Sequence, residues 1–253
     1  MTTAPREITA PVELVRPDGR LNPDAVGWSR RPLHDTSGVK RGLRGLGRNK
    51  RWEYWLVTTP EVLVSLTLSD IDYAGVHTVW AYERATGRRV DESAVVPFAW
   101  HTDLPGSLGA GVAEAGSRGL AGLIEEPAGG TRLRARAEGV RLVPGESWAI
   151  LDHGRGRWPY SMWWNWAAGA GHTADGRALG LQFGGKWTDG TGQLENAVVV
   201  DGTLFPLHDS ARGTAPSPPG ESSWRSTACW ASRRTSATAG EEGLPARSAV
   251  TYR

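Results

Sequence analysis

Cysteine is nearly missing from this chain of 253 residues: Cys229 stands alone, which excludes an intrachain disulfide framework and a thiolate metal cage. Long apolar runs are missing too. None approaches the roughly 20 residues of a membrane helix, so no stable membrane insertion is expected. The opening Met1-Thr2-Thr3-Ala4-Pro5-Arg6-Glu7 has no apolar stretch of the signal-peptide kind, and a cytoplasmic location is the expectation. Neither sign of charge dominates, with 29 basic against 27 acidic residues. The net charge of +2 does not by itself point to nucleic acid. Lysine is confined to Lys40, Lys50 and Lys186, so arginine supplies nearly all of the 29 basic residues.

Tryptophan and glycine are abundant instead. There are 13 Trp against 3 Phe and 5 Tyr, the reverse of the usual ratio. Indole is large and carries one N–H to satisfy, so a Trp-rich interior points to a pocket or a wide β-core. The 33 glycines favour turns and disfavour long helices. Both biases point to an all-β protein.

Strand periodicity fills residues 8–209. Arg51-Trp52-Glu53-Tyr54-Trp55-Leu56-Val57-Thr58, then residues 62–68 and 71–82, read as a three-strand meander ending at the Ala85-Thr86-Gly87 turn. Residues 120–124 and 131–137 continue it, with Arg132, Arg134 and Arg136 on one face. Pro144-Gly145 marks a boundary, followed by candidate strands at 147–152, 161–168, 177–187 and 194–200. The reading gives a first β-module at 8–143 and a second at 144–209. Residues 210–253 hold only Leu244 and Val250 among the large aliphatics, too little apolar surface to offset ordering entropy. A disordered tail is expected there. Its Arg, Ala, Ser, Pro and Gly also match GC-rich coding DNA read in a wrong frame, which would end the native frame near His208-Asp209.

The densest chemistry lies in Asp152-His153-Gly154-Arg155-Gly156 and Trp163-Trp164-Asn165-Trp166. Alternation puts Trp164 and Trp166 on one face and Trp163 and Asn165 on the other. Asp152 and His153 are expected to end a strand at the mouth of the aromatic enclosure. A desolvated Asp152 would be a proton donor, and indole faces would stabilise the resulting carbocation. The alternative has Asp152 capping a turn, with the tryptophans as core. Glu53, among Trp52, Tyr54 and Trp55, is a second candidate buried carboxylate, or else the partner of an arginine. Gln182 and Lys186 share strand parity beside Trp187, facing either a cavity or solvent. The six histidines lack zinc-type spacing, and no Gly-x-Ser-x-Gly elbow or phosphate loop occurs, so no metal and no cofactor is expected. The basic run Lys40 to Arg51 reads as a solvated loop, and no nucleic-acid partner is expected.

Taken together, Arg51-Trp52-Glu53-Tyr54-Trp55, Asp152-His153-Gly154-Arg155-Gly156 with Trp164-Asn165-Trp166, and Gly184-Gly185-Lys186-Trp187-Thr188-Asp189-Gly190 resemble a bacterial domain-of-unknown-function family, number 2804. More distantly, the layout is similar to the tandem lipocalin-like proteins that include carotenoid 1,2-hydratases and tocopherol cyclases. Asp152-His153, Trp164-Asn165-Trp166 and Asp175-Gly176-Arg177 match their second-barrel motifs, while Gly154-Arg155 replaces a Glu-Trp pair. The resemblance implies two calycin-type β-barrels, the second incomplete here. It also implies an apolar small-molecule partner, isoprenoid- or lipid-like. Asp152 would be the acid of a hydration or cyclisation, and Trp52, Glu53, Trp55, His153, Trp164, Asn165, Trp166, Gln182, Lys186 and Trp187 would line the site. A non-catalytic lipid carrier and an inactive truncated copy are the alternatives.

Overall fold

The computed structural model describes residues 6–40, 45–127, 131–137, 146–158, 165–185, 196–207, 233–239 and 247–252. Two short strands, β1 (Val12–Glu13) and β2 (His34–Asp35), pair in parallel near the N-terminus, with 3-10 turns at Pro23–Ala25 and Ser37–Lys40. The β-branched and aromatic segments that follow form β3 (Asn49–Thr58), β4 (Val62–Asp70) and β5 (Ala74–Glu83), the expected meander. Next come β6 (Arg89–Pro97), β7 (Thr102–Asp103), β8 (Ala113–Gly116), β9 (Ala121–Glu125), β10 (Arg132–Arg136) and β11 (Glu146–Arg157). The remainder are β12 (Asn165–His172), β13 (Ala178–Gly185), β14 (Ala197–Val200), β15 (Thr203–Pro206), β16 (Arg233–Ala239) and β17 (Arg247–Tyr252). No α-helix occurs among the described residues, and none of their helices is long and apolar enough to cross a membrane. The all-β expectation holds.

An 11-stranded sheet runs β6-β5-β4-β3-β11-β16-β17-β10-β9-β8-β7, and a four-stranded sheet runs β12-β13-β14-β15. Among the described residues neither closes into the barrel that the resemblance implied. The large sheet ends at β6 and β7, which follow one another in the chain but form no ladder. The turn between them holds Phe98, Ala99 and His101 at φ of 53°, 53° and 56°, left-handed backbone that carries the chain out of the β6 direction. The sheet coils instead, so that β4 packs across β7, β8 and β9. Gly122 permits that approach, since a Cβ there would lie 2.6 Å from Leu68 Cδ2. The enclosed core joins Trp55 and Val57 of β3, Leu66 and Leu68 of β4, Val79 of β5, Ile124 of β9, Leu133 of β10 and Leu151 of β11.

Two segments depart from the sequence reading. β11 was expected to stop at residue 152 and to begin the second module. It runs on to Arg157 and hydrogen-bonds to β3 along its length, so both expected modules contribute to one sheet. The tail, expected to be disordered, contains β16 and β17, which pair with each other and bridge β11 to β10. Thr235, Thr238, Val250, Thr251 and Tyr252 are β-branched or aromatic residues that suit strands completing neighbouring ladders. Hydrogen-bond demand from the open edges of β10 and β11 is the force that composition alone hides.

Candidate functional site

Strand register decides which groups meet. β11 pairs antiparallel with β3 as Leu151↔Trp55, Asp152↔Tyr54, His153↔Glu53, Gly154↔Trp52 and Arg155↔Arg51. Successive side chains point to opposite faces. Leu151, His153 and Arg155 therefore share the inner, core-enclosing face with Trp55, Glu53 and Arg51. Asp152, Gly154 and Gly156 share the outer face with Tyr54 and Trp52. Asp152 and His153, expected together at one mouth, are separated by the sheet.

The inner face carries a buried polar row above the apolar floor. Glu53 is 1% exposed, and its Oε1 accepts a hydrogen bond from Arg155 Nη2 at 2.9 Å. Arg155 Nη1 also donates to the carbonyl oxygens of Trp52 and, at 2.9 Å, Gly154. Burial pushes the Glu53 carboxyl up, against the pull of the Arg155 guanidinium. Burial likewise lowers Arg155 to about 10 despite Glu53, leaving the guanidinium charged at neutral pH. His153 Nε2 stands 3.6 Å from Glu53 Oε1, too far for a hydrogen bond. Burial first, then the Arg155 charge, hold its imidazole well below the usual histidine range, so it is neutral. Arg51 Nη2 donates to Asp70 Oδ2 at 3.0 Å, and its Nη1 donates to the Leu104 carbonyl at 2.9 Å. His77 is fully buried: Ser69 N–H points at its Nδ1, and its Nε2 lies 3.1 Å from Thr102 Oγ1. Burial also lowers His77, partly offset by Asp70. Glu53 is thus the arginine-paired carboxylate that the sequence left as an alternative.

The outer face is aromatic. Asp152 is half-buried beside Tyr54, whose ring meets Trp166 edge-on at 6.2 Å and 87°. Burial raises the Tyr54 hydroxyl, a Ser65 hydrogen bond opposes this, and the Asp152 charge adds to it. One residue pair along, Trp52 and Trp158 contact each other at 5.1 Å. The glycines of Gly154-Arg155-Gly156 explain the fit. A Cβ on Gly154 would sit 2.1 Å from Trp52 Cζ2, and one on Gly156 would sit 2.9 Å from Trp158 Cη2. The Trp52–Trp158 pair therefore occupies the space that Gly154 and Gly156 leave open, and the Tyr54–Trp166 pair stands at Asp152 itself. Trp158 Nε1 and Trp166 Nε1 are buried without a hydrogen-bond partner among the described residues.

Of the other expected site residues, Trp55 belongs to the inner core and does not line the Asp152 face. Gln182 is buried on β13 opposite Ala168 and Ala197. Asn165 begins β12 opposite Gly185. Trp164, Lys186 and Trp187 lie outside the described residues. Arg155, Tyr54, Trp158 and His77 were missed as site residues. For Arg155 a signal existed: glycine at alternate positions around an arginine marks one flat face and one charged face. Among the described residues, no group of three His, Cys, Asp or Glu side chains is placed to hold a metal ion.

No curated protein and no solved structure matches the chain significantly. One family model does, over residues 5–142 and 127–228, a span that includes both β3 and β11 and runs past residue 209. The chain therefore belongs to the family described as Domain of unknown function (DUF2804).

Proposed function

We propose that the outer face of β3 and β11 binds an apolar small molecule, isoprenoid- or lipid-like, that carries one hydrogen-bond acceptor. The observation that carries this reading is the aromatic surround of Asp152 together with two buried indole N–H groups that lack acceptors among the described residues. An unsatisfied buried donor costs about 1–3 kcal/mol. A ligand oxygen beside Trp166 or Trp158 removes that cost while its hydrocarbon part covers the rings. The distant similarity to tandem lipocalin-like proteins supports the same class of ligand.

Asp152 adds a reaction to binding in the enzymatic form of this proposal: its carboxyl proton transfers to a ligand C=C bond, and the cation rests against the Tyr54 and Trp166 faces. Water or an internal alkene then attacks the cation, and the released proton returns to the carboxylate. The non-catalytic carrier is favoured by a different observation. Glu53, the second candidate carboxylate, is held by Arg155 on the opposite face and takes no part in acid chemistry beside Asp152.

Titration with farnesol, read by indole fluorescence, tests binding. Saturable quenching is expected, and Trp166→Phe, which keeps most of the ring area but loses the N–H, weakens it roughly 3–10-fold. Non-saturable quenching, or an unchanged Trp166→Phe, refutes the site. Product analysis on the same incubations separates enzyme from carrier: turnover abolished by Asp152→Asn with affinity retained marks the enzyme, and bound but unaltered farnesol marks the carrier.

A further inference from the structure

One corner of the large sheet exposes far more aromatic surface than a folded chain needs. Phe98 is 70% exposed, Trp100 68%, Val95 70% and Tyr73 53%. Phe98 and Trp100 stand in the β6–β7 turn and Tyr73 in the β4–β5 turn. The two turns are joined by a hydrogen bond from Phe98 N to the Tyr73 carbonyl at 2.9 Å. The backbone presenting them is strained: Phe98, Ala99 and His101 are left-handed, as is Asp72 beside Tyr73 at φ 74°. Such conformations cost energy in non-glycine residues and persist only where the surroundings enforce them. Here the enforcement is visible. Ala99 is buried as a pivot, Trp100 N donates to the Pro97 carbonyl, and Thr102 N donates to the Ala99 carbonyl. Lys50 Nζ, 5.6 Å from the ring centroid, backs Tyr73.

We propose that this corner is a docking tip for a lipid surface, with Phe98, Trp100 and Tyr73 seated at the headgroup level. The area argues for lipid over protein. At about 150–250 Å² per aromatic side chain, Phe98, Trp100 and Tyr73 at their fractional exposures offer roughly 300–500 Å², below the ~800 Å² per partner of a stable protein interface. Their shape argues the same way. Two neighbouring turn tips protrude, which suits penetration of a soft interface, where Trp and Tyr concentrate at the headgroups. The protein lies on the membrane without spanning it. This inference is independent of the ligand site, which lies around Asp152 on β3 and β11.

Cosedimentation with vesicles of phosphatidylcholine and phosphatidylglycerol, without farnesol, tests it. The wild-type chain is expected to partition onto vesicles. A Phe98→Ser/Trp100→Ser variant should partition at least tenfold less, and Trp100→Gln alone should lie between. An unchanged far-UV CD spectrum checks the fold of each variant, and Trp100→Gln serves if the double variant misfolds. Equal partition of wild type and Trp100→Gln overturns the proposal. So does lipid-free dimerisation abolished by the same substitution, which would make a second copy the occupant.

Discussion

Replacing Gly154 by alanine probes the aromatic layer at its tightest point. The added Cβ falls 2.1 Å from Trp52 Cζ2, 2.3 Å from Cε2 and 2.5 Å from Cη2. Carbon atoms pack comfortably at about 3.5–4.0 Å, so the indole must retreat by about 1.4 Å. Trp52 is buried and already touches Trp158 at 5.1 Å, so the displacement propagates. Overpacking of this kind costs about 1–3 kcal/mol, and a disturbed aromatic pair adds about 0.5–1.5 kcal/mol. Alanine returns about 0.4–1 kcal/mol by restricting the unfolded chain. The net loss is about 1–3 kcal/mol, or a Tm drop of roughly 3–10 °C for a chain of this size. Gly171→Ala is the control, because no heavy atom lies within 4 Å of its Cβ position, and it should change stability by less than about 0.5 kcal/mol. Trp52→Leu should shrink the Gly154→Ala penalty when the two are combined, a coupling that a thermal-melt double-mutant cycle reads directly. A Gly154→Ala protein as stable as wild type, with unchanged near-UV CD, would refute the packing.

Other perturbations address the inner face and the tail. Glu53→Gln strands the Arg155 charge in the core and should cost about 3–5 kcal/mol by chemical denaturation, whereas Glu53→Leu with Arg155→Met should cost much less than the summed singles; additive losses would contradict the pair. His77 and His153 have lowered folded pKa values, so the unfolded chain binds more protons below its histidine pKa of about 6.5. Stability should therefore fall as pH drops below about 6.5, by up to ~1.4 kcal/mol per pH unit for each histidine. The raised Glu53 pKa has the opposite sign, since the folded chain gains that proton first and regains stability towards acid pH. His153→Gln should flatten the slope between pH 6.5 and 5, and an unchanged slope would show that His153 is not the titrating group. Amide exchange should be slowed at residues 233–239 and 247–252, which pair in the large sheet; exchange at the unfolded rate would restore the disordered reading.

Local signals carried the meander well: β3, β4 and β5 fall where aromatic and β-branched runs stop at Pro60, Asp70 and the Thr86-Gly87 turn. β11 was harder, because glycines usually end a strand, and Gly154 and Gly156 instead keep it extended beneath Trp52 and Trp158. That contact spans about a hundred residues of chain and is invisible to a local window. The same ladder splits Asp152 from His153, a consequence of period-two alternation once the strand is known to continue. Glu53 was legible as a buried carboxylate, but its partner depended on the register His153↔Glu53, which only the folded sheet sets. The open edges at β6 and β7 were hidden for a related reason. The left-handed run at Phe98, Ala99 and His101 contains no glycine to announce it.

Native mass spectrometry of the full chain after incubation with a bacterial lipid extract is the most direct test of the proposed ligand site. The wild-type protein should retain a discrete apolar adduct at unit stoichiometry, and Trp166→Phe should retain markedly less of it. An adduct-free spectrum for the wild type, or equal retention by Trp166→Phe, would contradict an apolar ligand held on the aromatic face around Asp152.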